Sequence, residues 1–147
     1  SSTRDKEVKL LREAGQTLGI DLIELPKATS DGGNIIRQAS PRLQHALAAR
    51  NLALAEQKGL DIMTSCATSH SIHCDTASTM ESNPVLASQL NNLIARTSKI
   101  EYAGEAKSRH LLHLLVEEIG LDTIVLMIDK QLSKPHETAR KASCSAV

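Results

Sequence analysis

Aromatic side chains are almost missing from this chain: it has no Phe and no Trp, and Tyr102 is its only Tyr. The core must be built from Leu, Ile, Val, Ala and Met, and ligand recognition by aromatic stacking is excluded. Net charge is missing too, because 17 Lys and Arg balance 17 Asp and Glu. With no basic cluster to follow a phosphate backbone, nucleic acid is not an expected partner. No apolar run approaches the roughly 18 residues that a membrane span needs, and the stretch Ser1 to Lys9 is too charged for a signal peptide. The expectation is a cytoplasmic protein without a direct membrane span. Cysteine is scarce and odd in number, with three in the chain, so full pairing within one chain is impossible and reduced thiols or metal ligands are expected.

What remains is an ordinary globular composition, 41% hydrophobic and 23% charged, over 147 residues, which is enough for one compact core. Val8, Leu11, Ala14 and Leu18 recur at helical spacing from Arg4 to Leu18, and Gly19 follows as a terminator. Ile20 to Leu25 alternates and stops at Pro26, as a short strand does, and Thr29 to Asn34 is rich in turn formers. Pro41 opens a long helix that runs through Leu43, Leu47, Leu52 and Leu54 to Lys58, with Gly59 behind it and a turn of helix over Asn34 to Ser40 before it. Leu60 to Thr64 reads as a second strand, which delivers the chain to Cys66. Helices follow over Ala67 to Met80 and from Pro84 to about Arg96, then a third strand at Lys99 to Tyr102. The pattern closes with helices from Ala106 to Ile119 and from Leu121 to Leu132. Alternating strands and helices predict an α/β class: a single domain with a small parallel sheet flanked by helices through β-α-β crossovers. The expected domain covers residues 1–132, and residues 133–147 form a polar tail or the start of a following segment. Functional loops in such sheets gather at the carboxyl ends of strands, so Ser30 to Gly33 and Cys66 to His70 are expected to meet in space.

Those two segments carry a resemblance. Thr29-Ser30-Asp31-Gly32-Gly33 and Cys66-Ala67-Thr68-Ser69-His70, separated by the stretch up to Ser65, resemble the paired motifs of the cysteine-rich CCG domain family. That family comprises the B subunit of heterodisulfide reductase and its relatives, including iron–sulfur subunits of succinate dehydrogenase, fumarate reductase and glycolate or lactate oxidase assemblies. Its Cys-Cys-Gly turn and later Cys-x-x-Cys ligate an iron–sulfur cluster or zinc. By this resemblance Ser30 and Asp31 stand in the places of the paired cysteines, Ser69 in that of the last, Gly32 permits the tight first loop and Cys66 is the surviving ligand. Gly19 to Leu25, Gly59 to Ile62, Glu101 to Leu112 and Glu117 to Leu121 look like family segments as well, so that roughly Ser1 to Lys130 is covered. The resemblance implies an oxidoreductase-type subunit whose ancestral task is electron transfer or disulfide reduction, with other subunits of a redox complex as partners. It also implies a missing first strand before Ser1, whose open edge could pair with a strand of a partner chain. Cys144 echoes weakly the cysteine that opens a second such domain.

Read by residue chemistry alone, Cys66, His70, His73 and Cys74 share one face of a helix that starts at Cys66. Thiolate and imidazole donors suit zinc, and Cys66, His70 and Cys74 are the candidate ligands, with Asp31 facing them; the plain alternative is a helix start with small buried thiols. A zinc-stabilised structural domain and a non-catalytic interaction module are therefore the competing readings. Cys66 at a helix start could also be a lowered-pKa thiol or an inert small apolar group. Ser30 to Asn34 lacks any phosphate-loop pattern, and Ser69, His70 and Asp31 lack a nucleophile-elbow glycine pattern. His110 and His113 read as structural residues at a helix edge.

Overall fold

In the computed structural model the described residues are 9–132, apart from 11 and 14. The chain divides into two compact units, Ser1–Leu112 and His113–Val147. In the first unit, residues 9–10, 12–13 and 15–17 are helical, which is the part of the expected first helix that falls among the described residues. Then come α1 (Gly33–Ala39), α2 (Pro41–Glu56), β1 (Ile62–Thr64), α3 (Ala67–Ser82), α4 (Pro84–Ser98) and β2 (Ser108–His110). A short α5 (Leu111–Leu114) follows.

The long helices begin where local chemistry favours a start. Ser40 caps α2 by accepting from the Leu43 N–H at 3.2 Å, ahead of Pro41; Asn83 caps α4 in the same way, from the Leu86 N–H at 3.0 Å, ahead of Pro84. Each satisfies an N–H that the helix itself leaves open, and proline at the first turn costs no hydrogen bond. The two strands are parallel, with Ile62 opposite Ser108 and Thr64 opposite His110, and α3 and α4 lie between them in the chain. The sheet packs on α3. Asp61 fixes the register, accepting from the Lys107 N–H at 2.9 Å and from Arg109 Nε at 2.8 Å. Burial alone would raise the Asp61 pKa, but these two donors outweigh it and hold the carboxyl below its usual range.

The core lies where α2, α3 and α4 meet: Ala46, Ala49, Leu52, Ala53 and Ala55 of α2, Met80 of α3, Leu90 and Ile94 of α4, joined by Ile100, Tyr102 and Ala106. The alanine face of α2 lets its neighbours approach closely, which is how a core without Phe or Trp fills its volume. In the second unit a π-helical turn, Leu115–Ile119, ends at Gly120, and α6 (Leu121–Leu132) exposes Leu121, Val125, Leu126 and Ile128. Among the described residues no helix is long and apolar enough to cross a membrane. The expected polar tail at 133–147, with Cys144, lies outside the described residues.

An α/β architecture with a small parallel sheet is thus observed, but two of the three expected strands are not. Residues 20–25 are not a strand and make no ladder with β1; Leu22 to Leu25 and Leu60 to Met63 line a common cavity of about 330 Å³. Residues 99–102 are loop because a side chain has taken the strand's partners. Asn91 of α4 donates from Nδ2 to the Tyr102 carbonyl and accepts the Tyr102 N–H at Oδ1, each at 3.0 Å. The third strand forms later, at Ser108–His110, inside the segment whose apolar spacing predicts a helix from Ala106; that helix starts only at Leu111.

Tyr102 is 5% exposed, so its backbone groups have no access to solvent if Asn91 is lost. A buried donor or acceptor left unpaired costs about 1–3 kcal/mol. Asn91→Leu is therefore expected to lower unfolding stability by roughly 2 kcal/mol in urea titration, and a change below about 0.5 kcal/mol would show that the amide clamp is not what holds this loop.

Candidate functional site

The first loop is fastened from one side by α2. Asn51, buried on α2, accepts the Thr29 N–H at 3.1 Å and donates to the Thr29 carbonyl at 2.7 Å. Gln44 Nε2 donates to the Gly33 carbonyl at 2.6 Å, and Arg50 reaches the Lys27 carbonyl at 2.9 Å. Within the loop, Ser30 Oγ accepts the Gly32 N–H at 3.1 Å and Asp31 Oδ1 accepts the Gly33 N–H at 2.9 Å. These are the short side-chain turns that Ser and Asp form readily. Gly32 sits at φ 77°, and a β-carbon there would come within 2.1 Å of the Ile36 side chain. The position requires glycine both for its backbone and for its space.

The second loop comes from β1. Thr64 ends the strand and Cys66, in extended conformation, occupies the N-cap of α3. Its sulfur closes no capping hydrogen bond of good geometry. Even so, the Ser69 backbone N–H first, then the Ser69 hydroxyl and the Thr68 N–H, lower the pKa of this exposed thiol.

The two loops meet. Ser30, Asp31, Thr64, Cys66, Ser69 and His73 line one cleft of about 470 Å³, floored by Leu25, Ala28, Ile62 and Met63. Four of the expected site residues, Ser30, Asp31, Cys66 and Ser69, are therefore together, and Gly32 forms the corner beside them. His70 and Cys74 are elsewhere. Cys74 lines a different cavity, of about 520 Å³, with Tyr102, Lys107 and Ser108. Its sulfur lies 3.7 Å from His70 Nε2 and 3.8 Å from Nδ1. His70 Nδ1 is 3.1 Å from Ser108 Oγ, and its ring meets that of His110 edge-on, with centroids 5.7 Å apart. Desolvation raises the Cys74 pKa, opposite to Cys66. Among the described residues no three His, Cys, Asp or Glu side chains converge as a metal site, so the trio Cys66, His70 and Cys74 is not assembled.

His73 joins the cleft although it is not among the expected ligands. It is 4% exposed, and neither ring nitrogen has a hydrogen-bond partner. Thr64 Oγ1 is likewise buried and unpaired. The sequence signal for His73 is its distance of seven from Cys66, two helical turns along α3, which puts both on one face; Thr64 carries no such signal.

No protein-family model matches the chain. Curated relatives do. A protein of Archaeoglobus profundus, named as similar to the heterodisulfide reductase B subunit, is 38% identical over 79 residues, 54% of this chain and 26% of the relative. The B subunit of the ferredoxin/F(420)H(2)-dependent CoB-CoM heterodisulfide reductase of Methanosarcina acetivorans is 27% identical over 118 residues, 80% of this chain and 39% of the relative. The chain is similar to heterodisulfide reductase B subunits. It spans between about a quarter and two fifths of the length of these relatives.

An iron–sulfur cluster, which the family resemblance implies, asks for several soft thiolates. The cleft offers one, Cys66. Ser30 Oγ and Asp31 Oδ1 accept the amides of Gly32 and Gly33, and Ser69 presents a hydroxyl. This donor set does not fit a cluster.

The buried imidazole makes the cleft sensitive to acid. Desolvation lowers the His73 pKa below its ordinary 6.5; Asp31 pulls it back up and His70 pushes it further down. The folded state thus resists a proton that the unfolded chain accepts. Stability is unaffected above about pH 6.5 and falls below it, by up to about 1.4 kcal/mol per pH unit until the folded pKa is reached. His73→Gln should flatten that part of the profile in denaturant melts between pH 7 and pH 5. An equally steep loss in the variant would assign the acid sensitivity to other groups.

Proposed function

We propose that this chain is a domain of a heterodisulfide-reductase-like redox subunit, of the CCG type, in which the cluster-binding loops are kept in place and the ligand set is degraded. The observation that carries this reading is the meeting of Ser30, Asp31, Cys66 and Ser69 around one cleft at the carboxyl end of β1. These are the positions that correspond to family ligands, and similarity to two B subunits supports the ancestry. Ancestrally the task is electron transfer or disulfide reduction. In this chain the domain serves other subunits of a redox assembly as a folded module that docks rather than reacts, because its side chains supply a single soft donor. The reading of the chain as a zinc-stabilised domain loses support from the separation of Cys66 from the His70 and Cys74 pair.

Restoring the thiols tests this directly. The purified chain is expected to contain neither iron nor zinc by elemental analysis and to show no visible charge-transfer absorption. The triple variant Ser30→Cys, Asp31→Cys, Ser69→Cys, reconstituted anaerobically with iron and sulfide, should bind iron and gain a broad visible band. A correctly folded triple variant that takes up no iron would remove the assignment of these positions as ligand sites. Iron in the unaltered chain would overturn the degraded-ligand reading.

A further inference from the structure

Positive charge gathers away from the Cys66 cleft, on the side where β1 begins rather than where it ends. A cavity of about 590 Å³ lies between the turn at Pro26 and Lys27, the carboxyl end of α2 and the carboxyl end of α4, and Lys27, Arg50, Lys58 and Lys99 all line it. No Asp or Glu is among its described lining residues, and none of the four cations is in an ion pair among the described residues. Leu25 is the one lining residue it shares with the cleft around Cys66. In a chain whose 17 basic and 17 acidic side chains cancel, four unopposed cations around one cavity are a local excess.

Neutralising the helix ends does not use up this charge. A helix carboxyl end carries about half a negative charge, so α2 and α4 together present about one, against four positive side chains. Arg50 stands apart from those ends, inside α2, and is held in one geometry: Nε donates to Ser98 Oγ at 2.8 Å and Nη1 to the Lys27 carbonyl at 2.9 Å. Its Nη2 has no partner among the described residues, and Ser98 Oγ, having accepted from Arg50, keeps its own proton to donate. Lys99 departs from local preference. At φ 56° it is the one non-glycine residue with positive φ among the described residues, at a helix end that glycine would occupy without strain. A cation is kept there against the backbone preference.

We propose that this cavity binds a small phosphorylated molecule carrying at least two negative charges, held by Arg50, Lys27, Lys58 and Lys99. The cations come from three separate elements, the turn at Lys27, α2 with Lys58 just past it, and the end of α4. That arrangement suits the several outward oxygens of a phosphate better than the single plane of a carboxylate. No aromatic side chain lines the cavity, so a nucleobase finds no stacking partner there. The volume lies within the range of small-molecule sites, which run roughly from 300 to 1,000 Å³. This binding goes beyond the redox-subunit reading and does not rest on it, since none of the four cations stands at a cluster-ligand position.

The test is calorimetric titration of the 147-residue chain at neutral pH and low ionic strength. Inorganic pyrophosphate is the probe, citrate the carboxylate comparator, poly-glutamate the acidic polymer, and sodium chloride at matched ionic strength the reference. The expected result is saturable binding of pyrophosphate, tighter than citrate and absent with chloride. Lys27→Gln, Lys58→Gln and Lys99→Gly should each weaken it roughly threefold to fivefold, whereas Arg42→Gln, at the other end of α2, should leave it unchanged. Lys99→Gly separates the site from the fold: glycine suits the left-handed backbone, so the urea midpoint should hold or rise while pyrophosphate binding weakens. No saturable pyrophosphate binding by the unaltered chain overturns the proposal, whether or not the variants fold. Tighter binding of citrate overturns the phosphate assignment, and binding of poly-glutamate without pyrophosphate overturns the small-molecule reading in favour of an acidic protein partner. Undiminished binding in all three folded lysine variants places the anion elsewhere and overturns the site. Iron uptake by the thiol-restored triple variant reports on the other reading and is indifferent to this result.

Discussion

The placement of the cleft depends on one kind of interaction: a helix side-chain amide standing in for a neighbouring strand. Thr29 is an irregular residue whose N–H and carbonyl would both need partners, and Asn51 supplies them from the middle of α2. Gln44 and Arg50 extend the attachment to Gly33 and Lys27. Because α2 is itself locked by its alanine face against α3 and α4, the loop inherits the rigidity of the core. The second loop needs no such help, since β1 and α3 hold it at both ends. The geometry of the site is therefore that of α2 relative to β1 and α3, and a change at Asn51 acts on the cleft without touching it.

The same device appears at Asn91, whose amide closes both backbone groups of Tyr102. Two amides in two helices thus do for residues 29 and 102 what a wider sheet would have done. This explains how a sheet that has two short strands among the described residues suffices. A three-residue parallel pair contributes little by itself, and its register comes from Asp61 more than from the ladder.

Those two asparagines also mark where the sequence is legible and where it is not. The helices are readable because helical spacing, proline at the first turn and the Ser40 and Asn83 caps are all local signals. β1 is readable because a short apolar run ends before a helix cap. Residues 20–25 and 99–102 have the pattern of strands, but alternation records which side is buried and not whether a partner lies alongside; at Tyr102, Asn91 takes the bonds. β2, Ser108 to His110, is a polar strand with nothing local to announce it. Asn51, a polar residue on the packed face of α2, is the signal that was present, since a buried amide requires a partner of comparable capacity; Asn91 is half-buried on a largely exposed helix and gives no such signal. At the site, the meeting of the two loops follows from strand-end topology, whereas the split of α3 does not. Cys66 and His73 line one cleft, Cys74 lines another cavity and His70 meets Ser108 of β2, a division that depends on which neighbours pack on each side of the helix.

The character of the cleft follows from the same accounting of hydrogen bonds. Where sulfur donors hold a loop through a metal, the loop's own amides are free to point at the ligand. In this chain Ser30 and Asp31 turn their oxygens inward and take the Gly32 and Gly33 amides themselves. The loop is consequently self-closed, and its shape requires no bound ion. The wall of the same cleft also holds a buried carboxylate, Asp31, and a buried imidazole, His73. Such a pair does not relax by moving apart, because Asp31 is fixed through Gly33 and His73 by the packing of α3. The protein's response to acid at this point is therefore set by how far desolvation of His73, which resists a proton, outweighs the attraction of Asp31, which favours one.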